Sequence, residues 1–308
     1  MRTVFNKTLL KIAKKDERIF LVLADIGYGE IEPFAKAFPD RYCNVGVAEQ
    51  NMTDIACGLA MEGNIAVTYS IANFPTLRCL EQIRNDVCYH NVNVKIVIIG
   101  GGLAYGALGV SHQSTEDLAI MRALPDMVVV APADFTEAEA ATYAMVKHPG
   151  PVYYRCGYKK EPRLHKGKID FKIGKAIQAR AGGDITLIGT GTITYRVYQA
   201  AELLVKDGIQ ARVLSMHTVK PIDKEAILKA ADETRGIITV EEHNIIGGLG
   251  GAVAEVLAEG GVGVPFKRIG LPDTYVHIVG SHDWLLDRFG FSPESIAQVA
   301  KNLLKCRQ

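Results

Sequence analysis

The sequence predicts an α/β protein built as two consecutive doubly wound domains. Three observations lead there. Short apolar runs alternate with helical patterns along the whole chain. Some of these runs are apolar at almost every position, as in Val94-Lys95-Ile96-Val97-Ile98-Ile99, which suits strands buried on both faces of a parallel sheet. One basic, polar stretch, Gly157–Lys168, breaks the alternation with Pro162 and two glycines. The expected domains are residues 1–160 and 170–308, joined by a linker at 161–169.

The elements follow in order. Met1–Lys15 is basic and amphipathic, with Val4, Phe5, Leu9, Ile12 and Ala13 on one helical face. A transit peptide looks similar in part, but this segment runs directly into a strand pattern and reads as the first helix of the fold. Strands are expected at 19–24, 66–70, 94–99, 127–131 and 152–155. Helices are expected near 31–37, 48–61, 76–89, 115–123 and 136–146. Past the break, strands are expected at 185–189, 211–215, 236–240 and 266–269, with helices at 195–207, 224–231, 248–258 and 293–305. The chain shows no internal repeat and no low-complexity segment.

Composition bounds the function. The chain has 308 residues, 48% hydrophobic and 22% charged, with a net charge of +1. That balance gives no bulk field to attract nucleic acid or a membrane surface. No apolar run reaches the ~18 residues of a membrane span, and the cytoplasm is the expected location. The six cysteines (Cys43, Cys57, Cys79, Cys88, Cys156, Cys306) form no CxxC pair and read as free, mostly buried thiols of a reducing compartment. No His/Cys cluster has metal-ligand spacing, so no metal site is expected in this chain.

Candidate functional residues gather at the carboxyl ends of the expected strands, where open α/β sheets bind ligands. Glu49, in Asn44-Val45-Gly46-Val47-Ala48-Glu49-Gln50-Asn51-Met52, sits at a strand-to-helix junction among small and apolar residues. Desolvation there raises a carboxyl pKa and suits it to share a proton with a ligand nitrogen. The plainer role is to complement the helix dipole. His112 closes a glycine-rich loop running from Gly100 and is either a proton donor and acceptor or a packing residue. That loop fails the dinucleotide fingerprint because its third glycine is misplaced, and Gly189-Thr190-Gly191-Thr192 fails likewise. Phe74 either stacks on a planar ligand or staples a helix entry. Arg155 ends a strand and either forks a phosphate or makes a surface ion pair. Asp25 is either a cap or a ligand contact. Gly247–Gly251, after Glu241-Glu242-His243, reads as a packing device rather than an anion cradle.

Taken together, these residues resemble the transketolase family of thiamine diphosphate enzymes, over essentially the whole chain. The matches are Leu23-Ala24-Asp25-Ile26, Gly46 to Met52, Ser111-His112-Gln113 and Gly150-Pro151 through Arg155. In the second half they are Thr218-Val219-Lys220-Pro221-Ile222-Asp223 and Val240-Glu241-Glu242-His243. The resemblance implies a pyrimidine-binding domain followed by a transketolase C-terminal-like domain. It lacks the Gly-Asp-Gly stretch with which that family holds a divalent metal and the cofactor diphosphate. The chain thus resembles the C-terminal subunit of a split transketolase. The resemblance implies an N-terminal partner subunit in an α2β2 assembly, with self-association of this chain as a dimer. Thiamine diphosphate would be shared with that partner, which would also hold Mg2+ or Ca2+.

By the same resemblance Glu49 would bond the aminopyrimidine N1′ and Phe74 would stack on that ring, although the spacing in Ile71–Arg78 differs from the family's. His112 would contact the donor's oxygens. Asp25 would lie near the cofactor, and Arg155 and Arg2 would bind the phosphate of a sugar phosphate. Gly100 stands where the family has a phosphate-contacting His, and Leu108 where it has an Asp. The implied reaction is transfer of a two-carbon ketol unit from a ketose to an aldose. Alternatives are the β subunit of a 2-oxo acid dehydrogenase, a 1-deoxyxylulose 5-phosphate synthase-like enzyme, and a non-catalytic partner that has kept the fold.

Overall fold

The computed structural model of the chain describes residues 1–158 and 161–305. Lys159 and Lys160, inside the expected break, and Cys306 lie outside the described residues. The first half runs α1 (Arg2–Ala13), β1 (Ile19–Leu23), α2 (Glu32–Ala37), β2 (Tyr42–Asn44), α3 (Glu49–Met61) and β3 (Ile65–Ile71). It continues with α4 (Leu80–Gln82), β4 (Val94–Ile99), α5 (Asp117–Ala123), β5 (Val128–Val130), α6 (Phe135–Lys147) and β6 (Val152–Cys156). The second half runs β7 (Ile177–Arg180), β8 (Ile185–Gly189), α7 (Thr194–Val205), β9 (Ala211–Ser215), β10 (Thr218–Lys220) and α8 (Lys224–Glu233). It ends with β11 (Ile237–Asn244), α9 (Leu249–Glu259), β12 (Phe266–Leu271), α10 (His282–Arg288) and α11 (Pro293–Lys305).

Two sheets result. The first has seven strands in the order β10-β5-β6-β4-β3-β1-β2, parallel except for β10. The second has five in the order β12-β11-β8-β9-β7, parallel except for the edge strand β7. Residue parity explains the double layering. On β1 and β4, Leu21, Leu23, Val97 and Ile99 join one apolar cluster, while Val22, Ile96 and Ile98 join the other. Alternate side chains point to opposite faces, so a strand apolar throughout needs helices on both. The second sheet repeats this with Leu187, Val213 and Ile238 on one side and Ile188, Leu214 and Ile237 on the other.

Four features depart from the expectations. β10, read from sequence as part of the second domain, pairs with β5 and completes the first sheet. The helix expected at 76–89 is a single short α turn, α4, continued by a π-helix at Ile83–Cys88. Glu241, Glu242 and His243 lie within β11 rather than after a strand. The described part of the expected linker is docked. Asp134 caps α6 through Thr136 N–H and Glu137 N–H, and its other oxygen accepts the N–H groups of Leu164 and His165. Cys57, Cys79, Cys88 and Cys156 are buried free thiols, and Cys43 is half-buried. Among the described residues, no helix is long and apolar enough to cross a membrane.

Candidate active site

Glu49 opens α3, directly after the turn at Gly46, whose φ of +73° suits glycine. The side chain is only 2% exposed. Its Oε2 accepts a hydrogen bond of 2.6 Å from Arg78 Nη1. Sequence reasoning overlooked Arg78, and the four-residue spacing from Phe74 was its one visible signal. The Arg78 guanidinium also lies over the Phe74 ring, 4.9 Å from its centroid. Phe74 meets His112 edge to face at 5.1 Å. A continuous series, Glu49–Arg78–Phe74–His112, thus joins three sequence candidates through one residue.

The loop carrying His112 begins at the end of β4. His112 Nδ1 lies 3.0 Å from Ser111 Oγ, and Asn73 Nδ2 donates to the Ser111 carbonyl. Asn73 Oδ1 and Gln113 Nε2 are buried without a hydrogen-bond partner among the described residues. Gly100 has φ +76°, and a Cβ there would come within 2.4 Å of Tyr105 Cε2. The Tyr105 ring therefore fills the place beside Gly100 and reaches both His112 and Tyr158. Burial pushes the Tyr105 phenol well above its ordinary range. Leu108 is exposed on the same loop.

The remaining candidates have partners of their own. Asp25 accepts from Tyr28 Oη at 3.0 Å and from Asn44 Nδ2. Arg2 Nε lies 3.4 Å from Glu30. Arg155 is not the surface ion pair of the plainer expectation, because its side chain is only 6% exposed. Its Nε donates to Asp117 at 2.8 Å, and Nη2 donates to the carbonyls of Ser114 and Glu242. Burial works against its charge, but Asp117 and Glu242 prevail and hold its pKa above the ordinary value. Arg155 also edges a cavity of ≈ 530 Å³ between the two halves, lined with Gly101, Tyr158, Arg196 and His282.

In the second half, the Glu241 carboxylate accepts the N–H groups of Leu249 and Gly250 at the start of α9. The glycine-rich turn is thus filled by the chain's own acid, in keeping with a packing role. Burial raises the Glu241 pKa. Its neighbour Glu242 is held below the ordinary value. Burial pushes it up, but His282, Arg155 and the Leu103 N–H together outweigh that.

Comparison with known proteins agrees with this architecture. Residues 1–158 match the transketolase pyrimidine binding domain, and residues 174–296 match the transketolase C-terminal domain. The chain belongs to the transketolase family. It is 40% identical over 306 residues to a subunit of the apulose-4-phosphate transketolase of Phocaeicola vulgatus, covering 99% of this chain and 97% of that one. It is 38% identical over 301 residues to the 6-deoxy-6-sulfo-D-fructose transketolase subunit SqwH of Clostridium sp., covering 97% and 93%. A solved split gene transketolase, described as an inactive β4 tetramer, superposes with a TM-score of 0.90 at 36% identity, covering 100% and 98%. The pyrimidine-binding domain implies thiamine diphosphate as the cofactor.

Proposed function

We propose that this chain is the pyrimidine-gripping subunit of a thiamine diphosphate-dependent transketolase, transferring a two-carbon ketol unit from a ketose to an aldose. The observation that carries the reading is the double engagement of Arg78. A planar cation bonds the buried Glu49 carboxylate and covers the Phe74 ring, the two contacts an aminopyrimidine would need. Asn73 Oδ1 and Gln113 Nε2, next in sequence to Phe74 and His112 and without a hydrogen-bond partner among the described residues, also fit a polar heterocycle. When bound, the cofactor supplies the carbanion chemistry that side chains lack.

The chain's own residues have defined tasks. Glu49 Oε2, itself shielded from solvent, would hold a proton at the ring nitrogen. Phe74 orients the ring by stacking. Arg78, which holds the carboxylate in this structure, would give it up to the ring nitrogen. His112, with Nδ1 engaged by Ser111, directs Nε2 to the donor's oxygen and moves a proton there. Asp25 stands beside the cofactor at the end of β1. Arg2 and Arg155 meet the phosphate at the substrate's far end, Arg155 from the wall of the cavity between the two halves.

The diphosphate and its Mg2+ or Ca2+ would belong to an N-terminal partner subunit in an α2β2 assembly built on paired copies of this chain. The inactive β4 form of the split-gene neighbour supports that division. Gly100 and Leu108, together with the apulose-4-phosphate and sulfofructose relatives, support a ketose other than the ordinary pentose phosphates. The test is turnover of a ketose donor with thiamine diphosphate and Mg2+. Activity is expected only when the chain is combined with an N-terminal transketolase subunit. Robust turnover by the chain alone overturns the split assignment.

A further inference from the structure

The second domain makes no hydrogen bond to Glu49, Phe74 or His112 among the described residues, yet it grips the loop that carries His112. The last three residues of β11 each reach across. Glu242 Oε1 accepts the Leu103 N–H at 2.6 Å. His243 Nε2 accepts the Ala119 N–H at 3.2 Å, and its Nδ1 pairs with the Asn244 carbonyl at 2.6 Å. The Asn244 N–H donates to the Thr115 carbonyl at 2.7 Å. Arg155 ties the same junction together by donating to both Ser114 and Glu242.

These contacts fall where the loop is pinched. Gly102 and Ser114 exchange N–H···O bonds of 2.8 and 2.9 Å, so residues 103–113 form a closed excursion with His112 near its far end. Gly102 has φ +65°, and a Cβ there would lie 2.6 Å from Glu242 Oε1. The close approach of carboxylate to backbone therefore requires glycine. A loop this rich in glycine has a large entropy to lose, and internal bonds alone restrain it weakly. The Glu242 carboxylate is 3% exposed and is shared with His282 at 2.8 Å. Burying an ionised acid is costly. A purely packing role would be met better by an apolar side chain, whereas a charge-assisted bond to one backbone N–H fixes a position.

We infer that Glu242 is a positioning residue for the reaction, through which the second domain sets the placement of His112. The inference rests on the role proposed above for His112, and its test separates the two. In the complete assembly with the partner subunit, Glu242→Ala lowers kcat/KM for the ketose donor on the order of 10- to 100-fold, the range expected for a displaced catalytic group. Thiamine diphosphate affinity changes less than twofold, because Glu49 and Phe74 are untouched. Glu242→Gln keeps an acceptor oxygen for Leu103 and recovers most of the loss. In a His112→Ala background, Glu242→Ala has little further effect, the non-additivity of two residues acting as one unit.

Amide hydrogen exchange across 103–113 gives a readout independent of turnover. It speeds up at least tenfold in Glu242→Ala and stays near wild type in Glu242→Gln. Where Glu242→Ala does not fold, His282→Ala loosens the same carboxylate and shifts both readouts the same way by less. Unchanged exchange in the alanine variants overturns the clamp. Additive losses, or an equal loss of cofactor affinity, overturn the positioning role. If His112→Ala alone leaves donor turnover intact, the proposed role of His112 is at fault, and the exchange result still decides the clamp.

Discussion

Arg78 Nη1 sits 2.6 Å from the Glu49 carboxylate although the two residues come from different elements and differ widely in exposure, 45% against 2%. The arginine reaches inward from the surface and ends on the acid assigned to the cofactor. Arg78→Met should therefore have two effects of opposite sign. Without cofactor, a buried carboxylate loses its partner, and stability falls by about 1–3 kcal/mol. With cofactor and partner subunit, a competitor is gone, so the thermal shift on adding thiamine diphosphate should exceed that of the wild type. Melting curves with and without cofactor check this. An equal shift in both proteins would show that Arg78 does not compete for the seat.

Glu49→Gln should fold normally, because the amide is nearly isosteric and can still accept a hydrogen bond from Arg78. Turnover in the assembled enzyme should fall on the order of 10²–10⁴-fold, the usual worth of a positioned proton-transfer group. Steady-state kinetics beside a melting curve decide the matter, and near wild-type turnover would remove Glu49 from its assigned role.

His112→Ala should impair the donor half of the reaction by roughly 10²-fold. Binding of thiamine diphosphate should change by less than a factor of about three, since the residue meets Phe74 only edge to face. Separate titrations of cofactor and donor distinguish these effects. A collapse of cofactor affinity would place His112 at the ring rather than at the substrate.

Lys95 offers a prediction about pH. It is fully buried at the start of β4, and Nζ donates to the carbonyls of His148 and Gly150, both at 2.6 Å. Burial drives its pKa down to about 7. The unfolded chain keeps that proton up to an ordinary lysine pKa of about 10.4. Between these values the unfolded state binds more protons, so the Lys95 contribution to stability grows as pH rises from about 7 and is lost as pH falls back. Lys95→Met removes the two donated hydrogen bonds but also the cost of burying a cation, so it should destabilise most at high pH, with the deficit shrinking or reversing towards pH 7. It should also flatten the rise by about 1 kcal/mol per pH unit between pH 8 and 10. Urea unfolding of both proteins across that range measures the difference in slope.

Much of the fold was legible because its strands announce themselves. Val94–Ile99 and Ile185–Gly189 are runs apolar at all but one or two positions, with the observed limits. What escaped was short or conditional. β2 has three residues, and β10 is a strand only because β5 offers it an edge. α10 lies in a stretch that the sequence reading left unassigned. The site was legible in the same uneven way. Glu49 and Phe74 stand just past strand ends, His112 ends a glycine-containing loop, and each can be picked out singly. Arg78 is a surface-stemmed arginine 29 positions from its partner acid, and Glu242 meets Leu103 across 139 positions. Contacts of that span depend on how elements pack, which local pattern does not encode. Arg155 shows the converse, a strand-end cation that the fold turned inward onto Asp117.

The strand that the second half contributes to the first sheet bears on how this polypeptide can be cut. A fragment ending near residue 160 keeps every helix of the pyrimidine-binding half but loses Thr218–Lys220, leaving Val128–Val130 as a bare sheet margin with unpaired backbone groups. Such a margin recruits other chains. Severing the protein at its apparent seam would yield sticky, self-associating material rather than two tidy halves.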